Sequence, residues 1–219
     1  MVAKVKENLF WSFFIVILPA TFVGCVNKSN SKVMKFQQVS KDEFGNMNTF
    51  LSNFTQVYLR SDFTDFDVNT TTPGQLIEFG IWCSYGKGQC DRCPVEDCEY
   101  GDIILDGKYV AESIKEYFDI DFKEHRSVTK DEYQSYHYDG KYYHLYSADG
   151  VGYPMARVKE VFENSSGQFR MIGEIYRNVF NGIDDIDEEL EGMFETCVKP
   201  YKCDGKDTWA IVSFESKSY

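Results

Sequence analysis

Up to about residue 120 the apolar residues recur every three or four positions, and from about residue 133 they alternate with polar ones. Ser40 and Glu43 make a capping-box pattern, in which each side chain satisfies a free backbone N–H at a helix start. Phe44, Met47, Phe50, Leu51 and Phe54 then predict an amphipathic helix over about 41–58. Residues 61–74 read as loop, with four threonines and a closing Pro73-Gly74. "QLIEFGIWCSY" predicts a second, shorter helix, and "GKYVAESIKEYFDID" a third, with Val110, Ile114, Tyr117 and Phe118 on one face.

The alternating half opens with "YQSYHYDGKYYHLY", two strands around the two-residue hairpin signal Asp139-Gly140. That turn predicts Tyr138 opposite Lys141, His137 opposite Tyr142 and Ser135 opposite His144. "YPMARVKEVFE" and "GQFRMIGEIYRNVF" read as strands joined by a turn at Asn164–Gly167, and "DTWAIVSFE" as the last strand. Between them "DDIDEELEGMF" predicts a helical patch with Ile186, Leu190 and Met193 on one side. Helices first and a meander afterwards predict an α+β fold, with the N-terminal helices on one face of an antiparallel sheet. The order of elements is similar to that of cystatin-like and NTF2-like folds.

The first twenty-five residues change the picture. Lys4 and Lys6 precede an apolar run over Leu9–Val23, broken by Pro19, and the run ends Phe22-Val23-Gly24-Cys25. A basic start, a short apolar stretch and small residues before a cut are an export signal; a spanning helix needs about 20 apolar residues. The ending resembles the lipobox of bacterial lipoproteins, in which the signal is removed before a cysteine that then carries lipid. The resemblance implies a signal peptide over 1–24 and lipidation of Cys25; the polar residues that follow read as a tether over 25–36, and the rest reads as a single domain over 37–219. It places the domain outside the cytoplasm, on the cell membrane or outer envelope. The stretch "FLSNF…EFGIW…DGKYV…IKEYF…HRSV…YDGKYYHLYSADG" resembles uncharacterised cell-surface lipoproteins of anaerobes, a group that brings no known activity.

Charge narrows the partners. The chain carries −12, and residues 1–24 hold Lys4, Lys6 and Glu7, so the exported part is near −13. A body so acidic repels nucleic acid and anionic lipid; the expected partners are the membrane, through the lipid, and an envelope protein or a glycan. The acidic run Asp184, Asp185, Asp187, Glu188, Glu189 and Glu191 lacks the order of a calcium loop and reads as the acid-rich start of a helix.

With Cys25 lipidated, six cysteines remain: Cys83, Cys90, Cys93, Cys98, Cys197 and Cys203. An even number outside the cytoplasm reads first as a disulfide framework, with two bridges stapling the loop over 83–98 and a local pair between Cys197 and Cys203. The local pair requires Pro200 to break the segment, because one straight strand would hold those two about 20 Å apart. The alternatives are a metal, zinc or iron–sulfur, held by Cys83, Cys90, Cys93 and Cys98, although the six-residue first gap departs from paired Cys-x2–4-Cys units; a redox pair at Cys90 and Cys93; and free thiols.

No nucleophile elbow, His-Glu-x-x-His, P-loop or dinucleotide fingerprint occurs. The remaining constellation is His137, Tyr142 and His144 on one face of the hairpin, a platform that could polarise a ligand, share a metal or stack on a sugar. Together these readings predict a lipid-anchored binding or scaffolding module without catalytic residues, and alternatively a metal-binding or enzymatic domain built on Cys83–Cys98.

Overall fold

The computed structural model describes residues 36–39, 45–59, 65–129, 135–147, 154–180 and 186–218. The signal segment, Cys25, most of the tether and the Ser40/Glu43 capping box lie outside these residues. Among the described residues no helix is long and apolar enough to cross a membrane. The fold is α+β: the described residues form three helices and two antiparallel sheets, with strands predominating.

The first helix, α1 (Gly45–Tyr58), turns Met47, Leu51, Phe54, Thr55 and Tyr58 inward, as the three-to-four spacing requires. The second, α2 (Pro73–Gly86), starts at a capping box that the sequence reading missed: Thr72 Oγ1 accepts the Gln75 N–H, and Gln75 Oε1 accepts that of Thr72. Every residue from Leu76 to Ser84 is buried, so α2 is enclosed on all sides. The third, α3 (Gly107–Phe118), is capped by Asp106 and closed by Asp119 in the left-handed region. Gly80 lets α2 and α3 touch: a Cβ there would lie 2.7 Å from Val110 Cγ1.

The larger sheet has the order β1-β8-β9-β10-β11-β2. Its long strands are β8 (Pro154–Asn164), β9 (Phe169–Phe180), β10 (Ile186–Cys203) and β11 (Lys206–Ser218), edged by β1 (Phe36–Gln38) and β2 (Asp65–Asp67). Helix α1 lies against β8, where Thr55 Oγ1 accepts the Ala156 N–H and Asn48 Oδ1 that of Val158. Phe54 and Phe214 meet at 5.2 Å in the core between helices and sheet.

The predicted helix at "DDIDEELEGMF" is not formed; from Ile186 onward that segment is strand β10, paired with β9 and with β11. A β-bulge between Leu190 and Gly192 hides the alternation. It leaves Leu190 opposite Tyr176 and puts Gly192 opposite Ile175, on successive faces. Carboxylates of β10 instead meet cations on other strands of the sheet: Glu188 pairs with Arg157 on β8, and Glu191 and Glu195 pair with Arg177 and Arg170 on β9.

The smaller sheet, order β3-β4-β7-β6-β5, holds β3 (Asp91–Arg92), β4 (Ile103–Asp106), β5 (Val128–Thr129), β6 (Ser135–Tyr138) and β7 (Tyr142–Leu145). The hairpin β6–β7 forms where expected but in a different register: His137 stands opposite His144, and Tyr138 opposite Tyr143. Asp139 is the cause. Its Oδ1 accepts the N–H groups of both Lys141 and Tyr142, and its own N–H donates to the Tyr142 carbonyl, which closes a longer turn. The opposite face of the hairpin carries Tyr136, Tyr143 and Leu145 into the same core as Phe54 and Phe214.

Candidate functional site

The cysteine segment is not one loop. Cys83 continues the apolar run of α2 and is buried there, with its thiol pushed up chiefly by burial and drawn partly back by Lys87. Cys90 is half-buried beyond the end of α2 and packs against the core. Beyond it, β3 pairs with β4, and the Cys93 N–H donates to the Asp102 carbonyl, which extends that ladder by one bond. The eight residues from Pro94 to Gly101 then loop out and return.

That return brings Cys93, Cys98 and His144 together, with their two sulfurs and one imidazole nitrogen all within 4.8 Å of one another. His144 Nδ1 lies 3.5 Å from Cys98 Sγ and 3.9 Å from Cys93 Sγ. Two features seat the loop over His144. Ile104 on β4 pairs directly with His144 on β7. Gly101, at φ +127°, passes so close to β7 that a Cβ would sit 2.2 Å from the Leu145 carbonyl oxygen.

The other side of the imidazole is also held. His144 Nε2 lies 3.1 Å from Asp139 Oδ2. Burial opposes the charge on Asp139, but the Tyr142 and Lys141 N–H groups and His144 outweigh it and hold the carboxyl at about 2. A carboxylate fixed by backbone donors therefore orients the ring and aims Nδ1 at the thiols.

The two thiols differ. The Tyr100 N–H, with help from Cys93 and His144, draws the Cys98 thiol below its ordinary range against desolvation. Cys93 receives the Val95 N–H, but desolvation and the adjacent Cys98 leave it raised. One sulfur is thus readier than its neighbour to carry negative charge.

Aromatic groups wall the cluster. Tyr100 stacks on His137 with ring centroids 3.8 Å apart and 15° between planes, and it meets His144 edge-on at 6.2 Å. Tyr146 donates to the Glu99 carbonyl and is exposed.

Of the four cysteines expected to hold zinc, the structure brings together Cys93 and Cys98, and it supplies His144 in place of Cys83 and Cys90. Among the described residues this is the one group of three or more such side chains with converging donors. Cys83, Cys90, Cys93, Cys98 and Cys203 are free thiols. The local pair expected between Cys197 and Cys203 is not formed, because Pro200 leaves β10 unbroken and both cysteines ride on that one strand. Of the platform residues, His137 and His144 face each other beside the thiols. Tyr142 is half-buried, with the Lys141 ammonium 4.4 Å over its ring. Asp139 and Tyr100 were missed. The signal for Asp139 was present as an Asx-type turn residue five positions before a histidine.

Comparison with protein-family profiles, with curated proteins and with solved structures returns no match.

Proposed function

We propose that this chain is a metal-binding protein, with zinc as the ion, held by Cys93, Cys98 and His144. The observation that carries the reading is the spacing of the donors. A zinc ion about 2.3 Å from sulfur and about 2.0 Å from nitrogen keeps tetrahedral ligands roughly 3.5–3.8 Å apart. The Cys98 sulfur–nitrogen distance, 3.5 Å, falls at that separation before any ion is considered, and the Cys93 distance, 3.9 Å, lies just beyond it. Two thiolates and an imidazole are a donor set suited to zinc, and the Asp139 contact to the far ring nitrogen is the outer support that ligating histidines use. Three protein donors leave one position for water, a substrate or a partner's donor.

The proposal keeps the lipid anchor at Cys25 and a place outside the cytoplasm, supported by the lipobox. It also keeps the helices on one face of the larger sheet, as in cystatin-like and NTF2-like folds. The binding or scaffolding reading is favoured by one separate observation: Val95, Tyr100 and Tyr146, all exposed, cluster around the loop that holds the thiols.

The test is metal analysis of the full-length protein purified under reducing conditions. One zinc per chain is expected, falling to less than about a tenth in Cys98→Ser and His144→Ala. Protein that takes up no zinc while Cys93 and Cys98 are reduced would end the reading.

A further inference from the structure

Ligation is not the only chemistry open to Cys93 and Cys98. Both thiols are free, and their sulfurs lie within 4.8 Å of each other at the two ends of the turn Pro94 to Asp97. A disulfide needs them about 2.05 Å apart. The imidazole side of the site is fixed, because His144 is paired with both β4 and β6 and its ring is held by Asp139. The approach must therefore come from the turn. Pro94, Val95, Glu96 and Asp97 are all exposed, so a small shift there moves no core side chain. The ends of the turn stay anchored, the Cys93 N–H on the Asp102 carbonyl and the Gly101 N–H on the Cys98 carbonyl. Asp97, at φ +52°, bends the chain back just before Cys98. The other free thiols are placed differently: Cys83 is 3% exposed inside α2, Cys90 packs on the core, and Cys203 ends β10 in the other sheet.

We propose that Cys93 and Cys98 are a redox modification site: a small-molecule disulfide oxidises them to a reversible Cys93–Cys98 bridge, and closing that bridge discharges the metal. One protein thiolate attacks a sulfur of the small disulfide, whose S–S bond breaks and releases one small thiolate. The second protein thiolate then attacks the protein sulfur of this mixed disulfide, and the second small thiolate leaves. The two cysteines lose two electrons, the small disulfide gains them, and two protons end on the released thiols. Both sulfurs pass from charged donors to a neutral bridge, so zinc is left with His144 alone and dissociates. A short closed loop constrains the unfolded chain little, and an exposed disulfide is of the readily reduced kind, so the bridge opens again under a thiol reductant. A place outside the cytoplasm would expose the pair to such oxidants.

The discharge rests on the zinc reading; the bridge does not, and it is also followed on metal-free protein, so the two fail separately. The full-length protein, reduced and loaded with zinc, is treated with 2-hydroxyethyl disulfide, a neutral probe that a chain carrying −12 does not repel. Bridges are mapped by peptide mass spectrometry, and released zinc is read with a chromogenic chelator. A Cys93–Cys98 bridge is expected, with about one zinc set free per bridge, and dithiothreitol should reverse both. Cys90→Ser should leave the bridge intact, and Cys98→Ser should stop at a mixed disulfide on Cys93. On metal-free protein the bridge should close at least about tenfold faster in the native state than in urea, because the fold holds the sulfurs together. Equal rates would show that sequence proximity alone joins them and would overturn the proposal. So would the absence of a bridge, a bridge to Cys83 or Cys90 instead, or zinc retained on bridged protein, each of which leaves the zinc reading standing. Reduced protein that takes up no zinc would sink that reading and the discharge with it.

Discussion

At the scale of single residues, Asp139 and His125 decide the most. Asp139 touches no sulfur; it acts through His144. Asp139→Asn retains the shape and an acceptor, but removes the charge that steadies the ring. Loss of such an outer partner typically weakens metal binding about 10–100-fold. A zinc competition titration should show that drop with stoichiometry intact, whereas an unchanged affinity would make Asp139 only a turn residue. His125 contributes to the pH dependence of stability. Burial lowers its pKa below the ordinary 6.5, with Asp106 offsetting part of the shift, and Tyr143 Oη sits 3.0 Å from its Nδ1. The native state therefore takes up a proton less readily than the unfolded chain, so this stability is complete above pH 6.5 and falls as the pH drops below it. Melting temperature followed from about pH 7.5 to 5 should decline in the wild type and decline less in His125→Gln. Equal slopes would remove His125 from the account.

At the scale of elements, two close approaches carry the site and the helix pair. Gly101→Ala would force a Cβ into the Leu145 carbonyl at a backbone angle that side chains rarely adopt. The loop should lift from β7, and zinc affinity should fall more than the melting temperature does; the reverse order would show that the glycine serves folding alone. Gly80→Ala instead presses on Val110 between α2 and α3, and should cost about 1–3 kcal/mol in denaturant unfolding with metal binding preserved.

Several of these elements were legible because their side chains obey one period over many residues. Helices α1 and α3 and strand β9 are of that kind; α2, apolar all round, and β8 and β11, each carrying a bulge, were legible from their apolar content and their flanking turns. Strand β10 was not legible, because its bulge shifts the alternation by one residue. Its acids Glu188, Glu191 and Glu195 also find partners across strand pairings, and a pattern of spacings carries no such information. The site was half legible. The local density of cysteines pointed to Cys93 and Cys98. Two things hid the rest: Cys83 belongs to a helix, and the third donor lies 46 residues beyond Cys98, on a hairpin whose register Asp139 resets.

For the whole molecule, the question is whether the thiol centre belongs to the same cooperative unit as the long-stranded sheet. One continuous core argues that it does: Tyr136, Tyr143 and Leu145 of the smaller sheet lie in the same buried cluster as Phe54, Phe79 and Phe214. Trp82 on α2 ties the two parts directly, its indole N–H donating to Tyr136 Oη at 2.9 Å. Stability gained at the centre must then be felt by β8–β11. Metal bound at about a hundred times its dissociation constant adds about 2.7 kcal/mol to the folded state. For a chain of this size that corresponds to roughly 5–10 °C in melting temperature. A chelator should therefore lower the melting of the far-ultraviolet β signal and of the buried Trp82 fluorescence by the same amount, in one transition. Cys98→Ser should already sit at the lower temperature and be indifferent to the chelator. If the chelator moved the Trp82 signal alone, the smaller sheet would unfold independently. If it moved neither, zinc would contribute nothing to the fold, and Cys93, Cys98 and His144 would have to be explained by the reactivity of their thiols.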